Sequence, residues 1–428
     1  MRYVFAAGGS RGDVQPAAAL ATELRVRGHE VTLLVPPDSV PFASGTGIPT
    51  LSYGESTRSA LDSPLVRERM RSRDPLTRVR AATELTIRGG SVMQRQLLDA
   101  TQNADAIIAG SAGQERAHNV SRVRGIPHIP LHLCPIRRNG STTLLAHAGI
   151  DVGPRTARMS WRLVEQVLWR AGRRAEDALC ADLGLDPIPA TFAAQIAATG
   201  VPEIQAYDPV LFPTLTSEWG PARPLVGFFT LPHDQRSGVG DDAGSDLIEW
   251  IDRGTPPVYV GFGSMMVTDP DHLATTVLAV AAELDVRLLI AGGWSDFMSG
   301  VSDDRIRVVG HVDHDAILPR CAAAVHHGGA GSVAAGLRAG IPTVVTWVGA
   351  DQPIWGRAVM ASHVGTSLPM SRVNTTRLVT AVRSALSPSV REAATTLRDS
   401  MIPPSLAVSH AADIAERVAD RHSRQDAI

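Results

Sequence analysis

Two short stretches, one in each half of the chain, hold residues whose types and spacing suit chemistry. The first is Gly8-Gly9-Ser10-Arg11-Gly12-Asp13, with Pro16 close behind. The second is His326-His327-Gly328-Gly329-Ala330-Gly331-Ser332, with Asp351-Gln352 about two dozen residues later. In the second, the apolar run 322–325 reads as a buried strand, the glycines as a turn, and 333–339 as a helix that Gly340 stops. A helix starting straight after such a turn offers unpaired N–H groups and the positive end of its dipole. Together these hold an anion, most often a phosphate. Asp351 and Gln352 lie just past the next strand, predicted at 343–347. Strand C-terminal ends of an open parallel sheet line one crevice, so phosphate donors and a carboxylate–amide pair can meet there. Asp13 has two compatible readings: a helix N-cap, or a general base at the mouth of a cleft.

Composition narrows the chemistry. At 428 residues, 44% hydrophobic and 20% charged, the chain is ordinary globular protein and too long for one core. A net charge of −2 gives no pull toward nucleic acid or an anionic membrane. No apolar run approaches the ~20 residues of a membrane span. The chain opens on a strand and not on a leader pattern, and Cys134, Cys180 and Cys321 are scattered with no CxxC. Reduced thiols in a cytoplasm are therefore expected, without a zinc site or a disulfide framework. Lysine is absent: every Lys or Arg position is arginine. That excludes a Walker-type lysine, a pyridoxal Schiff base and a lysine nucleophile. A phosphate site must rest on arginine, histidine, hydroxyls and backbone N–H.

The elements that must position these residues follow from periodicity. Strands are predicted at 2–7, 30–35, 104–109, 128–133, 202–208 and 223–228, then at 257–262, 286–291, 305–309, 322–325 and 343–347. Helices are predicted at 14–27, 65–72, 76–101, 113–123, 157–183, 271–284, 333–339, from about 353, and at 375–386, 390–398 and 405–421. Segments 41–62 and 135–154 read as irregular. Residues 233–245 (HDQRSGVGDDAGS) read as a polar linker, with Asp241 and Asp242 solvated and holding no metal. The opening is β-α-β, yet Gly8–Gly12 does not fit GxGxxG, which argues against a dinucleotide fold despite Asp38 past the second strand.

GSRGDVQP at 9–16, together with HHGGAGS at 326–332 and ADQP at 350–353, resembles the GT-B glycosyltransferases. The nearest branch is the one that glycosylates glycopeptide, macrolide and aromatic polyketide antibiotics, with sterol glucosyltransferases nearby. The resemblance spans the chain and is strongest at 8–16 and 324–356. It implies an α/β architecture of two Rossmann-like β/α/β domains facing across a cleft. An acceptor domain at 1–232 and the linker 233–245 would precede a nucleotide-sugar domain at 246–404, with a C-terminal helix at 405–428 crossing back. Asp13 would be the base, with Ser10 and Arg11 touching the diphosphate or the transferred sugar, or only shaping the turn. Ser264, in GFGS, would offer a hydroxyl and N–H to a phosphate. His311 and Val312 would meet the nucleobase. His326 would donate to the diphosphate beside the N–H groups of Gly328, Gly329, Ala330, Gly331 and Ser332, while His327, pointing the other way, would be structural. Asp351 and Gln352 would hold sugar hydroxyls.

Two departures bear on the donor. UDP-sugar relatives carry a glutamate on the ribose eight residues after the signature histidine. Ala334 stands there, which leans toward a TDP-sugar. Gly349 stands where plant enzymes place an aromatic against the sugar. Segments 54–101 and 135–170 are expected to shape a pocket for a hydrophobic small-molecule acceptor, with Trp161 and Trp169 in the core or the lining, and His132 either packed or facing the acceptor. The reaction implied is an inverting transfer from a TDP- or UDP-sugar co-substrate, with no further cofactor and no metal, by a monomer or homodimer. A nucleotide-sugar epimerase, a C-glycosyltransferase and a non-catalytic sugar-nucleotide-binding helper remain as alternatives.

Overall fold

The structure is a computed structural model and describes residues 1–56, 75–143, 152–238, 244–263, 269–292, 298, 303–310 and 312–426. Each half builds a six-stranded sheet in which every pairing is parallel. The first holds β1 (Arg2–Ala6), β2 (Glu30–Val35), β3 (Thr50–Ser52), β4 (Ala106–Gly110), β5 (His128–His132) and β6 (Ile204–Gln205), in the order β3-β2-β1-β4-β5-β6. The second holds β7 (Val258–Gly261), β8 (Leu288–Ala291), β9 (Ile306–Val309), β10 (Ala323–His326), β11 (Thr343–Trp347) and β12 (Gly365–Pro369), in the order β12-β11-β10-β7-β8-β9. Counted from its own first strand, the second sheet repeats the order of the first. Both are doubly wound sheets whose central strands are apolar because helices cover both faces.

In the first half the helices are α1 (Arg11–Val26), α2 (Val40–Ser44), α3 (Pro75–Ala100), α4 (Gln114–Arg124) and α5 (Pro154–Ala181). They continue with α6 (Phe192–Thr199), α7 (Pro213–Trp219) and α8 (His233–Gly238). The second half adds α9 (Ser245–Asp252), α10 (Pro270–Leu284), α11 (His314–Ile317) and α12 (Ala330–Arg338). It ends with α13 (Gln352–Ala361), α14 (Thr375–Ala385), α15 (Pro388–Ser400) and α16 (Pro404–Asp426).

Several expectations change. The strand predicted at 223–228 reduces to one bridge, Gln205 to Leu225, in a segment broken by Pro224 and by Gly227 at φ 103°. The segment at 41–62 is not all irregular, since it contains most of α2 and the edge strand β3. The linker begins as helix α8, tied down by Arg236, whose Nε donates to Asp313 at 2.9 Å. Helix 65–72 and the pair Asp241–Asp242 lie outside the described residues.

Two of the contacts that join the halves stand out among the described residues. Helix α16 returns onto α1, where Ala407, Ala411 and Ala415 are buried and let the helices approach closely. Arg27 fixes the register by donating to Asp413 at 2.6 Å, Glu416 at 2.7 Å and the Ser409 hydroxyl at 2.7 Å. The second contact is an apolar cluster shared by both halves, in which Trp355 of α13, fully buried, meets Tyr207, Phe212 and Phe228 at ring separations of 5.6–5.9 Å.

Candidate active site

In both sheets the strand order reverses next to the first strand, between β1 and β4 and between β7 and β10. Ligands of such sheets bind beyond the strand ends at that reversal. At each reversal a glycine of one turn meets the other turn. A Cβ on Gly8 would lie 2.8 Å from the Ala112 carbonyl oxygen, and one on Gly263 would lie 3.2 Å from Cε1 of His327. The two reversals face each other across one cleft of about 1400 Å³, lined from both halves.

On the first side, Ser10 caps α1 and Asp13 is the third residue of the helix. Asp13 is therefore not the N-cap. Its Oδ2 reaches back to accept from Ser10 N at 2.8 Å and from Ser10 Oγ at 3.2 Å, the return arm of a capping box. Gly9 makes room, at φ 106°, because a Cβ there would sit 2.3 Å from that oxygen. Burial pushes the Asp13 carboxyl above its ordinary range, the Ser10 hydrogen bonds pull it back, and the charge of Asp351 raises it again. A carboxylate made more basic in this way suits proton abstraction near neutrality. Arg11 lies 4.4 Å above the Phe42 ring and lines the cleft.

On the second side, Gly328 adopts φ +86° and leaves no space for a Cβ, which would meet Cγ1 of Val345 at 2.5 Å. Gly329 then caps α12 without any side-chain bond. The first-turn N–H groups of Ala330, Gly331 and Ser332 have no carbonyl within the helix to receive them. The histidines reverse the expected sides. His326 is 1% exposed, its Nδ1 accepts from Gly328 N at 3.0 Å, and it does not line the cleft. His327 does line it, in a slot between Gly263 and Gly329, where a Gly329 Cβ would lie 2.6 Å from Nε2 of His327. The alternation of an extended chain was read correctly, but the buried face was assigned to the wrong residue. Burial lowers the His327 ring to about 4, so it is neutral at pH 7 and has one N–H to donate.

Ser332, Ala335 and Arg338 share the α12 face that lines the cleft. Ala334, expected at the ribose, is instead buried in the core, and Ala335 holds the position facing the cleft. Past β11, Gln352 Oε1 accepts from Val348 N at 2.7 Å and Gly349 N at 3.3 Å, which closes the turn. Asp351 Oδ2 accepts from Trp355 Nε1 at 2.8 Å. The aromatic cluster between the halves thus sets where Asp351 stands, and burial raises its carboxyl against the pull of that Trp355 bond.

The cleft therefore brings together Ser10, Arg11, Asp13, Val312, Gly329, Ala330, Gly331, Ser332, Asp351 and Gln352. Gly328 shapes the turn from behind, and His326 is turned away. Ser264 and His311 lie outside the described residues. Of the segments expected at the acceptor, 135–170 contributes Ile136, Arg137, Trp161 and Trp169, whereas the described part of 54–101 contributes none of the lining. His132 is a packed core residue, with Nε2 3.0 Å from Gln114 Oε1. Sequence reasoning missed Glu115 on α4 and Phe192 on α6, both in the wall.

Two facing sheets of this order, with the cleft at their reversals, define the GT-B architecture. A family model for erythromycin biosynthesis protein CIII-like proteins, C-terminal domain, matches residues 275–418, and one for the glycosyltransferase family 28 N-terminal domain matches residues 3–49. An uncharacterized glycosyltransferase of Mycobacterium tuberculosis is 35% identical over 98% of this chain and 100% of its own length. The crystal structure of the kitacinnamycin glycotransferase superposes with a TM-score of 0.73 at 21% identity, covering 98% of this chain and 99% of that one. SsfS6 of Streptomyces sp. SF2575, solved with thymidine diphosphate, gives 0.60 at 19% identity over 96% and 98%. The chain belongs to the glycosyltransferases, has the GT-B fold and is a transferase. Among the described residues no helix is long and apolar enough to cross a membrane.

Proposed function

We propose that the protein is an inverting glycosyltransferase that moves a sugar, a deoxysugar included, from a TDP- or UDP-sugar to a hydroxyl of a hydrophobic natural-product aglycone. The observation that carries this reading is that Asp13 and Asp351, from different halves, share one cleft with the open start of α12. The diphosphate lies against the N–H groups of Ala330 to Ser332, with His327 donating from beside them. Asp351 and Gln352 then hold the sugar between that cradle and Asp13. Asp13 takes the acceptor proton as the acceptor oxygen forms its bond to the anomeric carbon. The bond from that carbon to the diphosphate breaks on the opposite face, and the nucleoside diphosphate leaves with the electron pair. Charge grows on the diphosphate as the sugar departs, and fixed donors aimed there lower the barrier. The scheme uses the nucleotide sugar as co-substrate and routes no step through a metal or another cofactor.

Ala335 supports a TDP-sugar in preference to a UDP-sugar, because no acid stands on that face of α12 to receive a ribose 2′-hydroxyl. The binding of thymidine diphosphate by SsfS6 points the same way.

Asp13→Asn tests the reading, with TDP- and UDP-glucose as donors and a panel of phenolic aglycones as acceptors. Turnover is expected to fall at least about 100-fold, with nucleotide affinity unchanged. Turnover within a few fold of wild type would leave Asp13 as a capping-box residue only, and a product that keeps the donor's anomeric configuration would rule out the single displacement.

A further inference from the structure

The cleft wall contains carboxylates besides Asp13 and Asp351 that have no place in that mechanism, and Glu115 is one of them. Glu115 stands in the first turn of α4, directly beyond the end of β4 and one turn of chain from Ala112, the residue that meets Gly8 beside the Asp13 loop. Its side chain lines the cleft. Two guanidiniums lie near it, and both are engaged elsewhere. Arg116 pairs with Glu176. Arg137 gives Nε to Glu203 at 2.6 Å and Nη2 to Gln114 at 3.1 Å. Its own backbone N–H serves the Glu115 carboxylate, and among the described residues no side chain and no other backbone N–H donates to it. Asp13 differs, since Ser10 serves it twice.

The bland account makes Glu115 a complement to the α4 dipole. That leaves lone pairs beyond the one its own N–H serves, in a half-buried wall, where a further donor arriving from the cleft has acceptors to meet. Burial outweighs the nearby arginines and raises the carboxyl above its ordinary range, so the wall by itself does not compensate the charge. Trp161 and Phe192 share the lining of the cleft with it. We infer that Glu115 anchors the acceptor by accepting a hydrogen bond from a second donor group, a hydroxyl or an amine N–H, distinct from the hydroxyl that Asp13 deprotonates. The acceptor class is then an apolar body carrying at least two hydrogen-bond donors. This inference rests on the glycosyl-transfer reading and assigns the acceptor half of the same cleft.

Isothermal titration of the full-length protein with 2,6-dihydroxynaphthalene and 6-methoxy-2-naphthol provides the test. The two probes differ in whether the far oxygen can donate. Wild type is expected to prefer the diol by about tenfold, as one hydrogen bond to a carboxylate allows, beyond the factor of about two that symmetry gives. In Glu115→Leu the preference should collapse to the symmetry factor while TDP affinity and melting temperature stay unchanged. Glu115→Gln, which keeps an acceptor oxygen without the charge, should fall between. An equal preference in wild type and Glu115→Leu would overturn the inference. The probe ratio is measured without donor, so it can fail while TDP still binds and Asp13→Asn still abolishes turnover. Failure of TDP binding in wild type would instead remove the transfer reading.

Discussion

The two walls of the cleft are built by different means. The wall on the second half is local and made mostly of backbone: one run from His327 to Ser332 supplies a ring in a slot, two glycines packed without Cβ atoms, and the open end of α12. The wall on the first half is assembled from side chains far apart in the chain, among them Asp13, Glu115, Arg137, Trp161 and Phe192, carried on different helices and loops. A diphosphate has the same shape and charge whatever sugar it carries, so backbone N–H groups and a helix end suffice for it. An acceptor body offers no such fixed handle and must be read by side chains. The backbone wall is thus sensitive to any added atom, whereas the side-chain wall can change one contact at a time.

The harshest test of that contrast adds atoms to the backbone wall. Gly328→Val places a Cβ where Cγ1 of Val345 already stands 2.5 Å away, on a residue at φ +86°. Strain of about 1–3 kcal/mol from the backbone, with a similar term from overpacking, is expected to lower the melting temperature by several degrees. TDP affinity should fall by at least about 100-fold as the turn shifts. A variant that melts and binds like wild type would mean the turn is not held by this contact.

The paired histidines separate ligand contact from packing at smaller cost. His327→Ala removes a ring in the cleft and should weaken TDP about tenfold, one hydrogen bond's worth, with little change in melting temperature. His326→Ala removes a buried ring that accepts from Gly328 N, so its main effect should be a lower melting temperature. Calorimetry and thermal melts on both variants decide it. The opposite pattern would return the phosphate role to His326.

The same contrast explains what the sequence revealed. Strands β2 and β11 were readable to the residue because they are apolar runs between turn residues. The edge strands β3 (TLS) and β12 (GTSLP) were not, since edges are only half covered and carry no apolar signal. Helix α6 went unseen for a related reason, being short and lying in a stretch to which no element was assigned. The turn proposed as the phosphate cradle was legible as a turn because its parts are contiguous. Which of His326 and His327 faces the cleft was not, because alternation says that two neighbours diverge and not which one meets the core. Glu115 and Phe192 had no motif to announce them, and only the packing of α4 and α6 around β4 and β5 brings them to the cleft.

The finest test lies where the walls meet. Asp351 stands on the backbone side but acts on Asp13, whose carboxyl is raised first by burial and further by the Asp351 charge. Asp351→Asn removes that charge and keeps an oxygen to accept from Trp355 Nε1. The Asp13 pKa should then fall, so its basic form persists to lower pH. The acidic limb of kcat/KM is therefore expected to move to lower pH, whatever the loss in rate from weaker sugar binding. Stability should follow the same sign. A carboxyl whose pKa is raised on folding favours the fold at low pH, and that contribution is lost as pH rises through the folded value. Asp351 is itself raised by burial, so the Asn variant should melt above wild type at neutral pH, with the gain vanishing below about pH 4. A limb that stays in place while the melting gain appears would show the two carboxylates to be buried independently. The two walls would then be electrostatically separate, and the basicity of Asp13 would come from its own side of the cleft alone.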